Sequence, residues 1–557
     1  MWKKIFPPFE WIKSYNRKIF KSDLIAGITL AAYGIPVSLA YATLAGLPPQ
    51  YGIYGYLLGG LFYAMLGSSR QLAIGPTSAI SLLIGTTIAG MANGDTQRWA
   101  DIASLTALVF AVMAVLAYFL RLSGIINFIS ETVLVGFKAG ACLTIGLTQL
   151  PKLFGVKGGG ENFFERLIAI VQQIPDTNTT VFIFGISAIA ILIAGEKLLP
   201  GRPVAIVVVI ASIILISVTS LGAQGFKTVG LLPAGLPDFH YPSLRIRDVD
   251  GVIPLALACF LLSYIESVSA ARTLAQKNGY EIDPRQELLA LGAANAAAAF
   301  GQSYPVAGGL SQSAVNDTAG AKTPMALVFA SLTIGLCLLF LTGLLADLPM
   351  VILASIVLVA IRGLFDLKEL KHLFRVNKRE FTIAMVALAG VIIFGILKGV
   401  LLAALITLLM LIKPASNPNV AFLGRIPGTK RYSDIKRHPD NEKVPGILIT
   451  RIESSILYFN AQFVREQIWT ELTADDGNIK TVILDLNSSP RVDITGARFL
   501  KRLFLDLKAK GIALKIAEAR SEVRDILRVE KLEELYGHIS RFVSVDDLVQ
   551  EAVKNSK

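Results

Sequence analysis

The sequence predicts an α-helical membrane protein with a small α/β domain at its C-terminus. Of its 557 residues, 53% are apolar and 17% are charged, and the mean hydropathy is +0.59. A soluble chain carries about 25% charged residues, so this composition favours a membrane protein. The charges are also uneven, because 43 of the 94 charged residues lie in the last 144 positions. We therefore expect a membrane domain at 23–413, a linker at 414–443 and a water-soluble domain at 444–557.

The first 22 residues form a basic and aromatic segment. Lys3, Lys4 and Lys13 alternate with Trp2 and Trp11, which is typical of a helix that lies in the headgroup region. Basic residues favour the cytoplasmic side, so we expect this segment in the cytoplasm and the protein in a cell membrane. We expect neither a cleavable signal nor nucleic-acid binding, although the net charge is +12.

Fourteen apolar stretches are candidates for crossing a bilayer, which takes about 20 helical residues. They lie at 24–45, 52–67, 74–91, 103–120, 130–150, 180–195, 203–220, 252–271, 287–303, 311–320, 325–345, 349–362, 381–396 and 399–413. The three cysteines (Cys142, Cys259 and Cys337) fall inside these stretches without the spacing of metal ligands, so we expect no disulfide and no metal site.

Two of the shorter stretches follow helix-breaking residues. The first break is at Gly75, 51 residues after Leu24, and the second is at Pro305, 53 residues after Val252. Interrupted segments at corresponding places in two halves indicate a transporter binding site at the bilayer midplane. Seven segments per half is an odd number, so the two repeats are expected to be inverted in the membrane. The alternative is coincidence, because Gly and Pro are common in membrane helices.

The C-terminal domain is predicted to be a small α/β layer. The expected strands are at 446–452, 456–459, 481–486 and 513–517, and the expected helices are at 461–472, 494–509, 521–527 and 545–554. The segment has no glycine-rich phosphate loop, no Cys-His cluster and no nucleophile elbow. No enzyme activity is therefore expected.

Five segments resemble one family of membrane proteins. They are Tyr33–Tyr54, Ala73–Thr77, Leu262–Leu288, Gly309–Thr323 and the short run Asp493–Gly496. The first four resemble signatures of the first, third, eighth and tenth helices of the SulP anion transporters (solute carrier family 26). The last is similar to the hallmark loop of the STAS domain that ends such proteins. The resemblance covers nearly the whole chain, and its motifs occur in the family's order.

The resemblance implies a particular fold and function. The fold would be fourteen helices in a seven-plus-seven inverted repeat with core and gate domains, followed by a cytoplasmic STAS domain. The function would be secondary active anion transport by alternating access, with no cofactor except a coupling H⁺ or Na⁺. The resemblance also implies a homodimer through the STAS domains and the last membrane helices.

The resemblance places the anion between the N-termini of the third and tenth half-helices. Helix N-termini attract anions, with about 0.3–2 kcal/mol per terminus, and Pro76 suits a first turn because its missing N–H would lack a partner there. Small hydroxyl residues add donors, or alternatively only pack helices closely. Tyr41 would face the site by resemblance, or lie in the core. The predicted substrate-binding residues are Tyr41, Gly75, Pro76, Thr77, Ser78, Gly309, Leu310, Ser311, Gln312 and Ser313.

Glu266 lies inside the apolar stretch 252–271. An ionised carboxylate there costs at least about 2.5–3.5 kcal/mol, and such residues usually mark a substrate or proton path. We therefore predict that Glu266 carries a co-transported proton. Two alternatives stay open: a sodium ion that neutralises Glu266, and a structural Glu266 bonded to Ser or Tyr hydroxyls.

One position departs from the family's pattern. Many SulP proteins carry Ser-Arg-Ser where this chain has Ser311, Gln312 and Ser313. Without the guanidinium, a specificity for divalent sulfate is in doubt, and bicarbonate or a dicarboxylate becomes more plausible. The substrate therefore stays open among sulfate, bicarbonate and dicarboxylates.

Thr495 stands where stand-alone STAS proteins carry a phosphorylatable Ser. It is a possible regulatory site, or its hydroxyl is a helix N-cap.

Several other functions compete with proton-coupled transport. They are a sodium-coupled bicarbonate symporter, an uncoupled exchanger or channel, a membrane-tethered STAS scaffold and a nucleobase permease of the same fold. The intact Glu266 and both helix breaks weigh against a scaffold. The STAS tail and Gln312 weigh against a nucleobase permease.

Overall fold

The computed structural model describes residues 12, 15–92, 95–124, 131–160, 162–198, 204–219, 225–243, 245–362, 365–474 and 478–555. Within these ranges, the side chains at 131, 246, 247, 249, 396, 397, 400, 401, 403, 404, 407, 408 and 411 are not described. Most of the basic N-terminal segment that we expected at the membrane surface lies outside the described residues. The chain divides after Thr407 into two compact units.

The described residues up to Ser416 contain sixteen α-helices and two short strands, and the last of these helices continues past the unit boundary at Thr407. They are α1 (Arg17–Leu44), α2 (Gln50–Leu66), β1 (Ile74–Gly75), α3 (Ser78–Ala92), α4 (Thr96–Phe119), α5 (Glu131–Phe154), α6 (Phe163–Gln173), α7 (Thr179–Leu198), α8 (Val204–Val218), α9 (Ile246–Asn278), α10 (Pro284–Phe300), β2 (Ala307–Gly308), α11 (Leu310–Thr318), α12 (Met325–Phe340), α13 (Met350–Ile361), α14 (Leu367–Val376), α15 (Lys378–Phe394) and α16 (Ile396–Ser416). Each of the fourteen apolar stretches overlaps one of these helices.

The two remaining helices, α6 and α14, are short and amphipathic. Helix α14 buries Leu370 and Leu373 and exposes Lys371, so its apolar side packs inward. Helix α6 follows α5, and α14 follows α13. Each therefore comes after the fifth of the seven apolar helices in its half. This order supports a two-fold repeat, and the inverted orientation of the halves stays a prediction.

Among the described residues, five helices are long and apolar enough to cross a membrane, namely α1, α4, α5, α7 and α9. Four apolar helices are shorter: α3 and α8 lie between these five in the chain, and α12 and α13 follow α9. Helix α7 is the least buried of the five: 22% of its most apolar 18-residue segment is buried, against 67% for α1. Its exposed side chains, such as Ile183 and Ile191, suit contact with lipid.

The two broken segments meet in the structure. Strands β1 and β2 pair antiparallel, with Ile74 opposite Gly308 and Gly75 opposite Ala307, and each precedes a short helix. Buried Asn295 holds the second break, since its amide exchanges two hydrogen bonds of 2.9 and 3.1 Å with the backbone of Val306. The two breaks therefore form one structural feature.

Helix α1 is tied to the chain that follows α11. The fully buried carboxylate of Asp23 accepts hydrogen bonds from the backbone N–H groups of Lys322 (2.7 Å) and Thr323 (3.1 Å) and from the Thr323 hydroxyl (2.6 Å). Charge-assisted bonds of this kind are the stronger class of hydrogen bond. The first half of the repeat thus supports the position of α11 in the second half.

The second unit is a sheet covered by helices. Its strands are β3 (Val420–Arg425), β4 (Tyr432–Asp434), β5 (Ile447–Ile452), β6 (Thr481–Asp485) and β7 (Ala513–Ala517), in the order β4-β3-β5-β6-β7. Strands β5, β6 and β7 are parallel, and β3 is antiparallel to both neighbours. The helices are α17 (Ala461–Ala474), α18 (Ile494–Ala509), α19 (Ser521–Val529), α20 (Leu532–Tyr536) and α21 (Val545–Asn555).

Two expectations for this unit are wrong in detail. Residues 420–425 and 432–434, which we assigned to the linker 414–443, form strands β3 and β4. Residues 456–459, which we expected to form a strand, instead contain an isolated bridge at Ile456 followed by a turn. The side chain of Asn460 explains the turn, because it accepts from the Leu457 N–H at 2.9 Å and donates to the Ser455 carbonyl at 2.9 Å. Such local bonds compete with a strand ladder.

Candidate functional site

The two helix starts and Glu266 line one cavity of about 260 Å³ in the first unit, here called the central cavity. Nine of the predicted residues line it: Tyr41, Pro76, Thr77, Ser78, Glu266, Gly309, Leu310, Ser311 and Gln312. The lining also includes residues of α5 and α13, which no prediction placed at the site. The structure thus brings together most of the residues that the sequence singled out.

Helix α3 begins at the cavity with two hydroxyl residues. The Thr77 carbonyl accepts the first helical bond, from the Ser81 N–H at 2.9 Å, so Thr77 takes the N-cap position. Thr77 is 8% exposed, and its buried hydroxyl oxygen has no hydrogen-bond partner within the described part of the chain. Leaving a buried hydroxyl unpaired costs about 1–3 kcal/mol. A ligand in the cavity would supply the missing partner.

Helix α11 begins at the same cavity without any capping side chain. Gly309 is its N-cap (φ −86°, ψ 134°), and the Gly309 carbonyl accepts from the Ser313 N–H at 3.0 Å. The first-turn N–H groups of Leu310, Ser311 and Gln312 have no acceptor within their helix. Leu310 and Ser311 are exposed to the cavity. Helix α11 therefore presents backbone donors suited to an anion.

The side chains of Gln312 and Ser313 both bond to the first break, although Gln312 also lines the central cavity. The Gln312 Nε2 donates to the carbonyls of Ala73 (3.1 Å) and Ala307 (3.2 Å). The Ser313 hydroxyl accepts from the Ala73 N–H (2.9 Å) and donates to the Gly309 carbonyl (2.7 Å). Both side chains therefore hold the first break against α11. Ser313 does not line the cavity, and the prediction that it binds substrate has no support in this geometry.

Gly75 also lies outside the lining of the central cavity. A Cβ atom at this position would lie 2.3 Å from Cδ2 of Tyr56, which is closer than atoms can pack. The position is thus a glycine because the Tyr56 ring covers it. Its role is to let β1 pass beneath the ring, and the prediction that Gly75 contacts substrate is not supported by its position.

Glu266 is partly exposed to the central cavity, one turn before Ser269. Its carboxylate makes no hydrogen bond or ion pair with any residue that the structure describes. The alternative of a structural Glu266 bonded to Ser or Tyr hydroxyls has no supporting contact among the described residues, and the role of Glu266 stays a prediction. The neighbouring Ser267 contrasts with it, being fully buried and accepting from the Gly308 N–H at 2.8 Å.

One cation at the site, Lys138, was not predicted. Lys138 on α5 lines the central cavity and interacts electrostatically with Glu266. The rule that singled out Glu266, a charge inside an apolar stretch, applies equally to Lys138 in the stretch 130–150. Tyr33, Ser269 and Thr273 also line the cavity and were not predicted, because their residue types are ordinary in membrane helices.

Thr495 is the second residue of α18 and is exposed. The N-cap of that helix is Asp493, whose carboxylate accepts from the Gly496 N–H at 2.7 Å and from the Tyr458 N–H at 2.9 Å. The alternative of Thr495 as the N-cap is therefore wrong. Phosphorylation of the exposed Thr495 stays a prediction.

Comparison with known families matches both units. Residues 20–387 match the sulfate permease family and residues 438–547 match the STAS domain. A probable sulfate transporter of Mycobacterium tuberculosis (strain H37Rv) is 32% identical over 97% of this chain and 96% of its own length. The chloroplastic sulfate transporter 4.1 of Arabidopsis thaliana is 33% identical over 98% of this chain and 82% of its own.

Solved structures share the fold. A structure of SLC26A9 superposes with a TM-score of 0.90 at 22% identity, covering 100% of this chain and 93% of that one. Murine Slc26a9 in the inward-facing state gives a TM-score of 0.91 at 22% identity over 99% and 94%. The transmembrane domain of the cyanobacterial bicarbonate transporter BicA gives 0.62 at 19% identity over 72% and 98%. The resemblance seen in the sequence is confirmed, and the chain belongs to the sulfate permease (SLC26) family of multi-pass membrane anion transporters, with a C-terminal STAS domain.

Proposed function

We propose that this protein is a secondary active transporter that binds a small anion between the N-termini of α3 and α11. The observation that carries the proposal is that both helix starts present unsatisfied donors to one cavity: the Thr77 hydroxyl and the first-turn N–H groups of α11. Neutral donors at two helix ends stabilise an anion.

Sulfate is the favoured substrate. The relatives described above are called sulfate transporters, and Lys138 supplies the central cavity with a cation from α5. The charge of Lys138 replaces the positive charge that many SulP proteins carry as Arg at the position of Gln312. The absence of that Arg had been the argument against specificity for sulfate. Bicarbonate and dicarboxylates are the competing substrates.

Glu266 is the proposed coupling residue. An ionised carboxylate facing the same cavity repels an anion, whereas a protonated one does not. Binding a proton at Glu266 therefore favours binding the anion, and the two would cross the membrane together. A sodium ion beside Glu266 would remove the same repulsion, and this is the competing coupling ion.

The central cavity opens toward one end of α9. Glu266 is partly exposed, Ser269 and Thr273 are exposed, and α9 ends five residues later at Asn278. This end also carries the start of α1, because Asp23 bonds to the chain that follows α11. We expect that end to be cytoplasmic, with the STAS domain on the same side. The structure is then the inward-open state of an alternating-access cycle.

Uptake into proteoliposomes tests the proposal. Radiolabelled sulfate, bicarbonate and fumarate are each offered with an inward proton gradient, an inward sodium gradient or neither. We expect sulfate to accumulate above its external concentration only with the proton gradient. Accumulation with sodium alone would identify the sodium-coupled alternative, and equilibration without accumulation would identify an exchanger or channel.

We further infer that the protein is a homodimer, with contacts through the STAS domains and the last membrane helices. The inference rests on the family resemblance. Light scattering of the full-length protein in lipid nanodiscs should give the mass of two chains. A monomeric mass would refute it.

A further inference from the structure

The first unit contains a second and larger cavity, of about 460 Å³, at the C-terminal end of α5. It is here called the basic cavity, because four basic side chains line it: Lys152, Lys157, Arg166 and Lys227. None of the described residues that line it is acidic. A concave surface lined by charges of one sign raises the local concentration of the opposite ion.

A glycine loop forms one wall of the basic cavity. Gly158, Gly159 and Gly160 have φ values of 75°, 153° and 90°, a region that other residues rarely adopt. The side chain of Gln173 holds the loop, since it exchanges two hydrogen bonds of 3.0 Å with the backbone of Gly158. The N–H groups of Gly159 and Gly160 bind no acceptor in the described structure. The loop therefore offers backbone donors beside the basic side chains.

Three of the four cations, Lys152, Lys157 and Lys227, have no acidic partner among the described residues, whereas Arg166 interacts electrostatically with Glu165. Arg166 donates only to the Gly160 carbonyl, at 3.1 Å. Its neighbour Glu165 is exposed and accepts from Asn162 at 2.6 Å, and Glu161 lies outside the described residues. Like charges repel more strongly where water is partly excluded. An anion in the cavity would relieve that repulsion.

The position of the basic cavity relates it to the central cavity. Thr148, Lys152 and Arg166 also line a smaller cavity of about 190 Å³ that contains Thr43 and Gly46, at the end of α1. The central cavity instead contacts α1 at Tyr33, Val37 and Tyr41. The two cavities therefore lie at different levels along α1, and the topology expected from the N-terminus puts the basic cavity toward the extracytoplasmic side.

Helix α5 connects the two cavities. Lys138 lines the central cavity and Lys152 lines the basic cavity. These lysines are fourteen residues apart, which is close to four helical turns, so they share a helix face about 21 Å apart along the axis. One face of α5 thus carries a cation at each cavity.

We propose that the basic cavity is an anion-capture site on the extracytoplasmic side, which binds an oxyanion such as sulfate before it reaches the central cavity. This inference rests on the proposed transport function and on the topology expected from the N-terminus. The ligand class follows from the chemistry: ammonium, guanidinium and N–H groups all donate hydrogen bonds, and a divalent oxyanion accepts several at once. Capture speeds the encounter without changing the transport step.

The test compares Lys152→Gln/Arg166→Gln with wild type in proteoliposomes, for right-side-out molecules. We expect KM for sulfate uptake at low ionic strength to rise about tenfold, with kcat unchanged, because charge steering acts on the encounter. The rise should shrink as salt is added. Lys197→Gln, an exposed change at the far end of α7, controls for the loss of charge and should leave KM unchanged. A KM and salt dependence equal to wild type in the folded double variant would overturn the proposal.

A binding measurement separates this proposal from the proposed function. Titration of purified protein with radiolabelled sulfate should show two sites in wild type and one in Lys152→Gln/Arg166→Gln. Two sites in wild type without any transport would refute the proposed function and retain the capture site. Transport by wild type with one binding site in both proteins would refute the capture site alone.

Discussion

The two helix starts at the central cavity differ in how they present donors. The α3 start offers a side chain, the Thr77 hydroxyl, which has no partner among the described residues. The α11 start offers backbone N–H groups, because Gly309 has no side chain to cap them. The polar side chains that follow, Gln312 and Ser313, bond to the first break instead.

In the proposed mechanism, the neutral donors and the titratable charges therefore lie on different helices. Neither start carries a charged residue. The charges at the central cavity come from α9, through Glu266, and from α5, through Lys138. The donors at the two starts do not titrate near neutral pH, so pH dependence should enter through the charged pair alone.

The largest expected effect comes from Glu266→Gln, which separates coupling from binding. The amide keeps nearly the same volume and mimics the protonated carboxyl permanently. Anion binding and anion exchange should persist, whereas accumulation driven by an inward proton gradient should disappear. Binding should also lose its pH dependence. Concentrative uptake and sulfate binding at several pH values measure both expectations.

A matched change elsewhere controls for the loss of a carboxylate. Glu281 is exposed in the loop between α9 and α10, so Glu281→Gln should retain concentrative uptake. Accumulation by Glu266→Gln at the wild-type level would remove Glu266 from the mechanism. If sodium were the coupling ion, Glu266→Gln would abolish a sodium stimulation instead and leave pH effects small in both proteins.

The next effect compares the two breaks through their glycines. In Gly75→Ala the new Cβ meets the Tyr56 ring at 2.3 Å, whereas in Gly309→Ala it meets the Gln312 side-chain amide at the longer distance of 2.9 Å. Overpacking costs about 1–3 kcal/mol where neighbours cannot move. We expect Gly75→Ala to lower the thermal unfolding temperature in detergent clearly and Gly309→Ala to lower it less. Equal losses would mean that Tyr56 moves as easily as Gln312.

A third prediction distinguishes a hydroxyl that is proposed to bind the anion, that of Thr77, from one that stabilises the protein, that of Ser313. Thr77→Val removes a hydroxyl without a partner, so stability should not fall, while sulfate affinity should fall about 10–100-fold if the hydroxyl bonds a charged ligand. Ser313→Ala removes the acceptor of the buried Ala73 N–H and should cost about 1–3 kcal/mol of stability. Binding isotherms and thermal unfolding of both variants test this. Unchanged affinity in Thr77→Val would place the anion elsewhere.

The smallest effect is expected from adding a charge to the α11 start. In Gln312→Arg the guanidinium can still donate to the carbonyls of Ala73 and Ala307 that Gln312 now binds, and it has further donors for the cavity. We expect sulfate affinity to rise several-fold with a weaker dependence on pH, because the added charge is fixed. Sulfate binding at two pH values measures the change. An unchanged affinity in the folded variant would mean that the side chain at 312 faces away from the ligand.

Much of this arrangement could be predicted from the sequence, because membrane helices and their breaks leave strong signals. Both breaks and Glu266 were visible as departures from long apolar stretches. The roles of Gly75 and Ser313 could not be predicted, because each break interrupts the helical periodicity that tells which way a side chain points. The direction of these side chains depends instead on the pairing of β1 with β2. The paired positions Gly75 and Ala307 are 232 residues apart in the chain.

Other features were missed for different physical reasons. Lys138 lies inside the apolar stretch 130–150, and Lys152 lies just beyond it. Their long aliphatic side chains are compatible with an apolar helix, so neither lysine was singled out. Strand β3 was hidden by the basic residues around it, although buried Ala421 and Leu423 alternate with the less buried Val420 and Phe422. Helices α6 and α14 are too short to register as membrane spans.

The most direct test of the central claim, that the anion lies between the two helix starts, is protection of Ser311→Cys by sulfate. The variant is made in a background where Cys142, Cys259 and Cys337 are replaced by Ala, and its reaction with a charged thiol reagent is followed in purified protein. Thr318→Cys is the matched control, because Thr318 is exposed on the same helix but does not line the central cavity. We predict that sulfate slows the reaction at position 311, with half-protection at its binding constant, and leaves the rate at position 318 unchanged. A Ser311→Cys protein that binds sulfate yet reacts at the same rate at every sulfate concentration would contradict the claim.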